Sequence, residues 1–305
     1  MGPVSLDYLA VDRKNGTVWI PAGGTGSVDV LEIATGKVTR IQGFPTAERE
    51  GKAGKRLVGP SSATVGDGVV YVGNRANSQV CAVDIAKLAR GACVTLASPP
   101  DGLAYVASAK ELWVTTPKDK SITVLDVSKP AKPKVKTKIS FDGAPEGYAV
   151  DDARGAFYTN LEDKDKTLVV DVPTHKVVAT FEAQCGSEGP RGLAVDGGRG
   201  LLFVACTDHV EVLNDVAHAG TLLSKLDTGG GVDNIDYLLA RGQLFVAAGK
   251  AATLTVANVD DKGILTVAGT APSASGGRVV VVDSGGNAYV ADPAQGSVLA
   301  VSSSP

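Results

Sequence analysis

The sequence predicts an all-β chain: a seven-bladed β-propeller with about four antiparallel strands per blade. Three observations predict it. First, a short apolar segment ending in an acidic turn, followed by a second run of large apolar residues, is written seven times. Its fullest form is the segment 189–196 (GPRGLAVD) followed by 200–205 (GLLFVA). Second, the copies are anchored at Asp7, Ser62, Asp101, Glu146, Arg191, Asn234 and Arg278. That spacing, about 44 residues with four strands to the unit, belongs to a propeller blade and not to a helical solenoid. Third, aromatic residues make up only 5% of the chain while Val, Ala and Gly dominate, as many short buried strands with tight turns require.

The elements follow in order. Blade 1 takes strands near 7–12, 17–22, 28–33 and 37–42. A long connection, Gly43 to Gly59, follows it and is rich in charge: Glu48, Arg49, Glu50, Lys52, Lys55 and Arg56. Blades 2 to 6 occupy about 62–98, 101–141, 146–182, 191–227 and 234–270. Blade 7 supplies strands at 278–283, 287–292 and 297–301 and then the chain stops. Either that blade is three-stranded, or a strand preceding Met1 completes it, since propellers avoid an open edge. At 305 residues the length would allow two domains, but seven repeats of one unit make 1–305 a single propeller domain. Met1-Gly2-Pro3 leads directly into the first strand and no signal peptide is visible, which reads as a mature or trimmed form. The segment 129–134 (KPAKPK) reads as a solvated turn between outer strands.

Net charge is −3, which gives no general attraction to nucleic acid or to anionic membranes, and no apolar run approaches a membrane span. A monomer without nucleic-acid partners or membrane insertion is expected. The four cysteines fall into two pairs. Cys81 and Cys93 lie in the third and fourth strands of blade 2 and face each other across a hairpin. Cys185 and Cys206 flank the first two strands of blade 5. Two disulfides are expected, and with them an oxidising compartment, periplasmic or secreted. Metal binding by cysteine is not expected, because no Cys-x-x-Cys spacing exists.

The repeated Gly-Leu-Ala-Val-Asp, Leu-Phe-Val-Ala and Val-x-Val-Leu-Asp segments resemble the YVTN-type β-propeller repeat of the YncE-like proteins. The resemblance covers essentially the whole chain, blade 2 least well. Tyr71-Val-Gly-Asn74 and Tyr158-Thr-Asn160 look like altered forms of the family's Tyr-Val-Thr-Asn. It implies the architecture and an extracytoplasmic setting, and it names no substrate. Single-stranded DNA binding, suggested for YncE-like proteins, fits an acidic, aromatic-poor chain badly.

Function therefore has to come from the site. Six of the seven register residues are charged or amide, and in a propeller they converge at the mouth of the central channel. The connections after the second strands open on the same face and add Asn74, Arg75, Asn160, Glu162, Asp208 and His209. The 43–59 segment should lie over this mouth as a lid. The bland reading is mutual neutralisation of channel-lining charge. The leading reading is a binding module for a small anionic ligand or a partner. Arg191 and Arg278 would grip a carboxylate or phosphate, with Asp7, Asp101, Glu146 and Asn234 completing the ligand set. The alternative is a metal-dependent hydrolase, similar to the calcium-dependent lactonases, in which Asp7, Glu146 and Asn234, with Asp101 or Asp233, hold Ca²⁺. Glu146 and His209 are then the candidate catalytic residues, His209 as a base oriented by Asp208 or Glu162. A third reading is a protein-interaction scaffold that uses the blade rims. His175 and His218 read as solvated turn residues, and no nucleophile elbow, phosphate loop or dinucleotide fingerprint is present.

Overall fold

The chain is a seven-bladed β-propeller, seen in a computed structural model that describes residues 3–51, 54–215, 217 and 219–302. Two compact units make it up: residues 1–140 with 293–296, and residues 141–292 with 297–305.

The first unit holds three four-stranded antiparallel blades and one hairpin. Blade 1 is β1 (Ala10–Asp12), β2 (Thr17–Ala22), β3 (Ser27–Glu32) and β4 (Val38–Ile41). The connection that the sequence marks as a charged loop is instead paired structure, β5 (Ala47–Gly51) against β6 (Gly54–Val58). Its charges lie on two strands that pair with each other, with Glu50 opposite Lys55 and Arg49 opposite Arg56, so the segment folds locally as a ribbon. Lys52 lies outside the described residues. Blade 2 is β7 (Pro60–Val65), β8 (Val69–Asn74), β9 (Gln79–Asp84) and β10 (Ala89–Thr95). Blade 3 is β11 (Leu103–Val106), β12 (Glu111–Thr116), β13 (Ser121–Asp126) and β14 (Lys134–Ser140).

The second unit holds the other four blades. Blade 4 is β15 (Pro145–Asp151), β16 (Ala156–Leu161), β17 (Lys166–Asp171) and β18 (Lys176–Glu182). Blade 5 is β19 (Leu193–Asp196), β20 (Leu201–Ala205), β21 (His209–Asn214) and β22 (Thr221–Asp227). Blade 6 is β23 (Val232–Leu238), β24 (Gln243–Ala248), β25 (Thr253–Val259) and β26 (Leu265–Pro272). Blade 7 is β27 (Val280–Val282), β28 (Ala288–Asp292) and β29 (Ser297–Val301). Among the described residues this last blade is three-stranded.

Burial separates the strands of a blade by their order. The second strands β8, β12, β16 and β20 are buried at every position, whereas the fourth strands β14 and β18 are exposed at most of theirs. A strand with a packed sheet on each face reads as a continuous apolar run, and a rim strand shares one face with water. One position repeats with particular force. The residue opposite Ala10, Thr64, Ala104, Ala149, Ala194, Asp236 and Val281 is aromatic in every blade: Trp19, Tyr71, Trp113, Tyr158, Phe203, Phe245 and Tyr289. All seven are buried. The scarce aromatics are therefore spent on one layer of the core, where a large flat side chain facing a small neighbour fills the space between sheets.

The acidic residue that ends an inner strand closes the next turn. Asp12 accepts the Lys14 and Asn15 amides at 3.1 and 3.0 Å, and Asp151 accepts the Arg154 amide at 3.0 Å. Asp196 accepts the Arg199 amide at 3.0 Å and its Nε at 2.8 Å, and the Tyr237 hydroxyl at 3.0 Å. Asp283 takes the Asn287 amide at 2.9 Å and the Tyr289 hydroxyl at 3.1 Å. Asx-type turns of this kind need a short side chain with an acceptor, which explains why Asp recurs there. Burial raises Asp196, but the bonds from Arg199 and Tyr237 outweigh it and hold the carboxyl below its ordinary range. Burial and that same carboxylate push the Tyr237 phenol up to about 12.

Both expected disulfides are present. Cys81 and Cys93 are direct cross-strand partners on β9 and β10, and Cys185 is joined to Cys206.

Candidate functional site

The register residues lie where successive inner strands hydrogen-bond to one another. In the first unit, Tyr8 donates its amide to Ser61 O at 3.1 Å and Ala63 donates to Tyr8 O at 3.0 Å. In the second, Gly192 donates to Asp233 O at 2.7 Å and Asn234 to Arg278 O at 3.1 Å. Gly192 is required there, because a Cβ would stand 2.8 Å from Asn234 Cα.

In the first unit the register carboxylates are committed to a cation. Arg75, at the end of β8, places Nη1 2.9 Å from Asp7 Oδ2 and its other terminal nitrogen on Asp101 Oδ1. Both carboxylates are buried, so the guanidinium is held by charge on two sides. The β5–β6 hairpin packs beside this group: Arg49 Nη2 donates to Ala76 O at 3.0 Å, and Asn74 Nδ2 to Pro45 O at 2.9 Å. The ribbon is thus fastened to the turn that carries Arg75. Asp7 and Asp101, expected to meet a ligand, instead meet Arg75. Ser62 is fully buried.

In the second unit two register residues, Arg191 and Arg278, border open space. Arg191, Lys250 and Arg278 line a cavity of about 460 Å³, together with Glu188, Asp233 and Thr207. Arg191 is steadied by Glu162 on Nη1 and by Glu188 O at 3.1 Å on Nη2. Arg278 Nε stands 3.3 Å from Asp233 Oδ2, with about half its side chain exposed. Glycines form much of the wall. At Gly231 φ is +88°, and a Cβ would lie 2.5 Å from the Lys250 amide, so a side chain there would close the cavity wall. Cations from three blades converging with two carboxylates make an ionic, hydrogen-bonding hollow of small-molecule size.

Other predicted residues fall elsewhere. Glu146 pairs across the strand with Asn160, whose Nδ2 donates to Arg191 O at 2.6 Å. Asn234 turns Oδ1 to the Ile235 amide at 2.9 Å. His175 sits in the β17–β18 turn, and His218 lies outside the described residues. His209 opens β21 and is buried beside the Cys185–Cys206 disulfide. Its Nδ1 meets Asp208 Oδ1 at 2.6 Å and its Nε2 stands 3.4 Å from Glu211 Oε1. The bond from His209 holds Asp208 below the ordinary carboxylate range, whereas burial raises Glu211. His209 is not among the residues that line the cavity, and its Nδ1 faces Asp208.

Sequence reasoning missed Lys250 and Glu188. The rule that connections after second strands face the mouth applies equally to the turn after β24, where Lys250 sits. Glu188 lies in a short 3-10 turn, Gly186–Glu188, directly after Cys185, and no local pattern marks it.

No protein-family model matches the chain, and no curated protein matches it. Solved structures do. The chain is similar to a chain of Kuenenia stuttgartiensis hydrazine synthase, with a TM-score of 0.81 and 15% identity over 99% of this chain and 96% of that one. It is also similar to a chain of the mitotic checkpoint complex, with a TM-score of 0.77 and 13% identity over 98% and 88%. The WD40 β-propeller domain of Doa1 gives 0.74 and 13% identity over 97% and 92%. At these identities the likeness is one of fold. The class defined is a β-propeller with an ionic cavity in its second unit. Among the described residues no helix is long and apolar enough to cross a membrane.

Proposed function

We propose that this protein is an extracytoplasmic propeller of the YVTN-repeat type that binds a small anionic ligand in the cavity lined by Arg191, Lys250 and Arg278. The observation that carries the reading is the convergence of these three cations, from three blades, on one hollow of about 460 Å³. A carboxylate or phosphate accepts forked hydrogen bonds from guanidinium groups. Glu188 and Asp233 add acceptors, which favours an anion that also carries a hydroxyl or amine. The two disulfides support an oxidising compartment. The hydrolase reading ranks second. It needs Asp7, Glu146 and Asn234 for Ca²⁺, and Asp7 already faces Arg75 while Asn234 Oδ1 faces backbone.

The test is calorimetric titration with a panel of hydroxy and amino carboxylates and phosphate monoesters. One member should bind, losing about tenfold to a hundredfold in affinity in Arg278→Ala, the worth of a charge-assisted hydrogen bond. Binding should survive chelator. A bound panel member indifferent to Arg278→Ala and to Lys250→Ala would overturn the proposal. Calcium-dependent ester hydrolysis would promote the second reading.

A further inference from the structure

The buried cluster around His209 is not used by the cavity. The Sγ atoms of Cys185 and Cys206 and a ring nitrogen of His209 lie within 4.8 Å of one another. Cys206 and His209 are brought together by the tight β20–β21 turn, in which the Cys206 amide donates to His209 O at 2.8 Å. Cys185 comes from the preceding connection and is anchored there, with its amide and that of Gly186 bound to Asp165 at 3.0 and 2.9 Å. The imidazole is oriented. A carboxylate can only accept, so in the neutral ring Asp208 on Nδ1 fixes the proton there and leaves the lone pair on Nε2. Nε2 is buried and makes no hydrogen bond, with Glu211 Oε1 3.4 Å away. A carboxylate on one imidazole nitrogen, with two sulfurs within 4.8 Å of a ring nitrogen, is the outer and inner arrangement of a zinc site.

We propose that the Cys185–Cys206 disulfide closes a latent Zn²⁺ site whose ligands are Cys185 Sγ, Cys206 Sγ, His209 Nε2 and Glu211. Opening it takes a dithiol reductant. The dithiol gives two electrons and two protons to the S–S bond and leaves as its own disulfide, and two thiols form. Both thiols then lose their protons as two zinc–sulfur bonds are made. Two thiolates, one imidazole and one carboxylate complete the four-coordinate set that zinc prefers at about 2.0–2.3 Å. The sulfurs need only part to ligand–ligand distance around an ion, since His209 is already in place. The Cys206-x-x-His209 spacing is the sequence signal. The site stands independently of anion binding in the cavity.

The test uses Co²⁺ as an optical probe for Zn²⁺ on the full chain, oxidised or reduced with a dithiol that is then removed without air. The reduced protein should take up cobalt stoichiometrically with a sulfur-to-metal charge-transfer band and tetrahedral visible bands, both abolished by Zn²⁺. The oxidised protein should show neither. Cys185→Ser/Cys206→Ser keeps the Cys81 and Cys93 thiols and should lose the bands, as should His209→Gln. Asp208→Asn should weaken zinc by about 10–100-fold, as loss of an outer-shell partner does. Where a variant fails to fold by circular dichroism, zinc should still raise the melting temperature of reduced wild type and leave the oxidised protein unchanged. No charge-transfer band in the reduced protein, for whatever reason, or bands that persist in folded His209→Gln, would overturn the proposal.

Discussion

Arg75 and Arg278 are both arginines beside a register carboxylate, and they are used in opposite ways. Arg75 lies between Asp7 and Asp101, with both acids buried and both ends of its guanidinium engaged. Arg278 Nε stands 3.3 Å from Asp233 Oδ2, and about half of its side chain is exposed on a cavity shared with Arg191 and Lys250. The difference is one of stoichiometry and space. In the first unit two acids meet one cation, and the β5–β6 ribbon is fastened beside it. In the second, three cations and two acids line a hollow partly walled by glycine, and a third acid, Glu162, holds Arg191. A satisfied ion cluster stabilises a fold, whereas a hollow with cationic donors around it can take a ligand.

Arg75→Ala should produce the largest effect. It leaves two buried carboxylates without this cation, and breaking a buried pair costs about 3–5 kcal/mol, the lower end applying because the arginine is partly exposed. Urea unfolding reads this as a lower midpoint with unchanged slope. A loss below about 1 kcal/mol, the scale of surface pairs, would break the contrast.

A second, intermediate effect sharpens it within the other unit. Asp196 is held below its ordinary range in the folded state. Its stabilisation is therefore present above the unfolded value, about pH 4, and is lost as pH falls through the lower folded value. Denaturation across pH should show Asp196→Asn removing part of the acid-side slope and none of it near neutrality. An unchanged slope would show that the cluster around Arg199 and Tyr237 does not depend on that charge.

The smallest effect on stability belongs to Arg278→Ala. With half of its side chain exposed, the change should stay within about 0.5 kcal/mol. The same variant should carry the large loss of ligand affinity. A variant that unfolds the second unit would place Arg278 with Arg75 and erase the comparison.

Much of the fold was legible because it is repeated. Seven copies of an apolar strand with an acidic end report blade number and inner-strand position, and the Cys81–Cys93 pairing follows from a hairpin register. The aromatic in each second strand was equally legible and was passed over, since low aromatic content hides a position that is aromatic every time. The 43–59 segment was misread as a loop because a run of charged residues on a ribbon separate from the blade sheets carries no apolar period to mark it. At the site, Arg191 and Arg278 were found by register and Lys250 was not. Asp7 and Asp101 were found and then assigned to a ligand.

The sequence by itself determined the architecture, the blade order, both cysteine pairs and the charged character of the inner-strand starts. These rest on local periodicity and on covalent reach along the chain. Only the tertiary structure decided which charges are already paired. Arg75 follows β8 of blade 2 and reaches Asp7, which precedes blade 1, and Asp101, which precedes β11 of blade 3, and His209 meets Cys185 across two connections. Ion pairing falls off over a few ångströms and depends on burial. Residues far apart in the chain therefore become partners only once the blades have set them side by side.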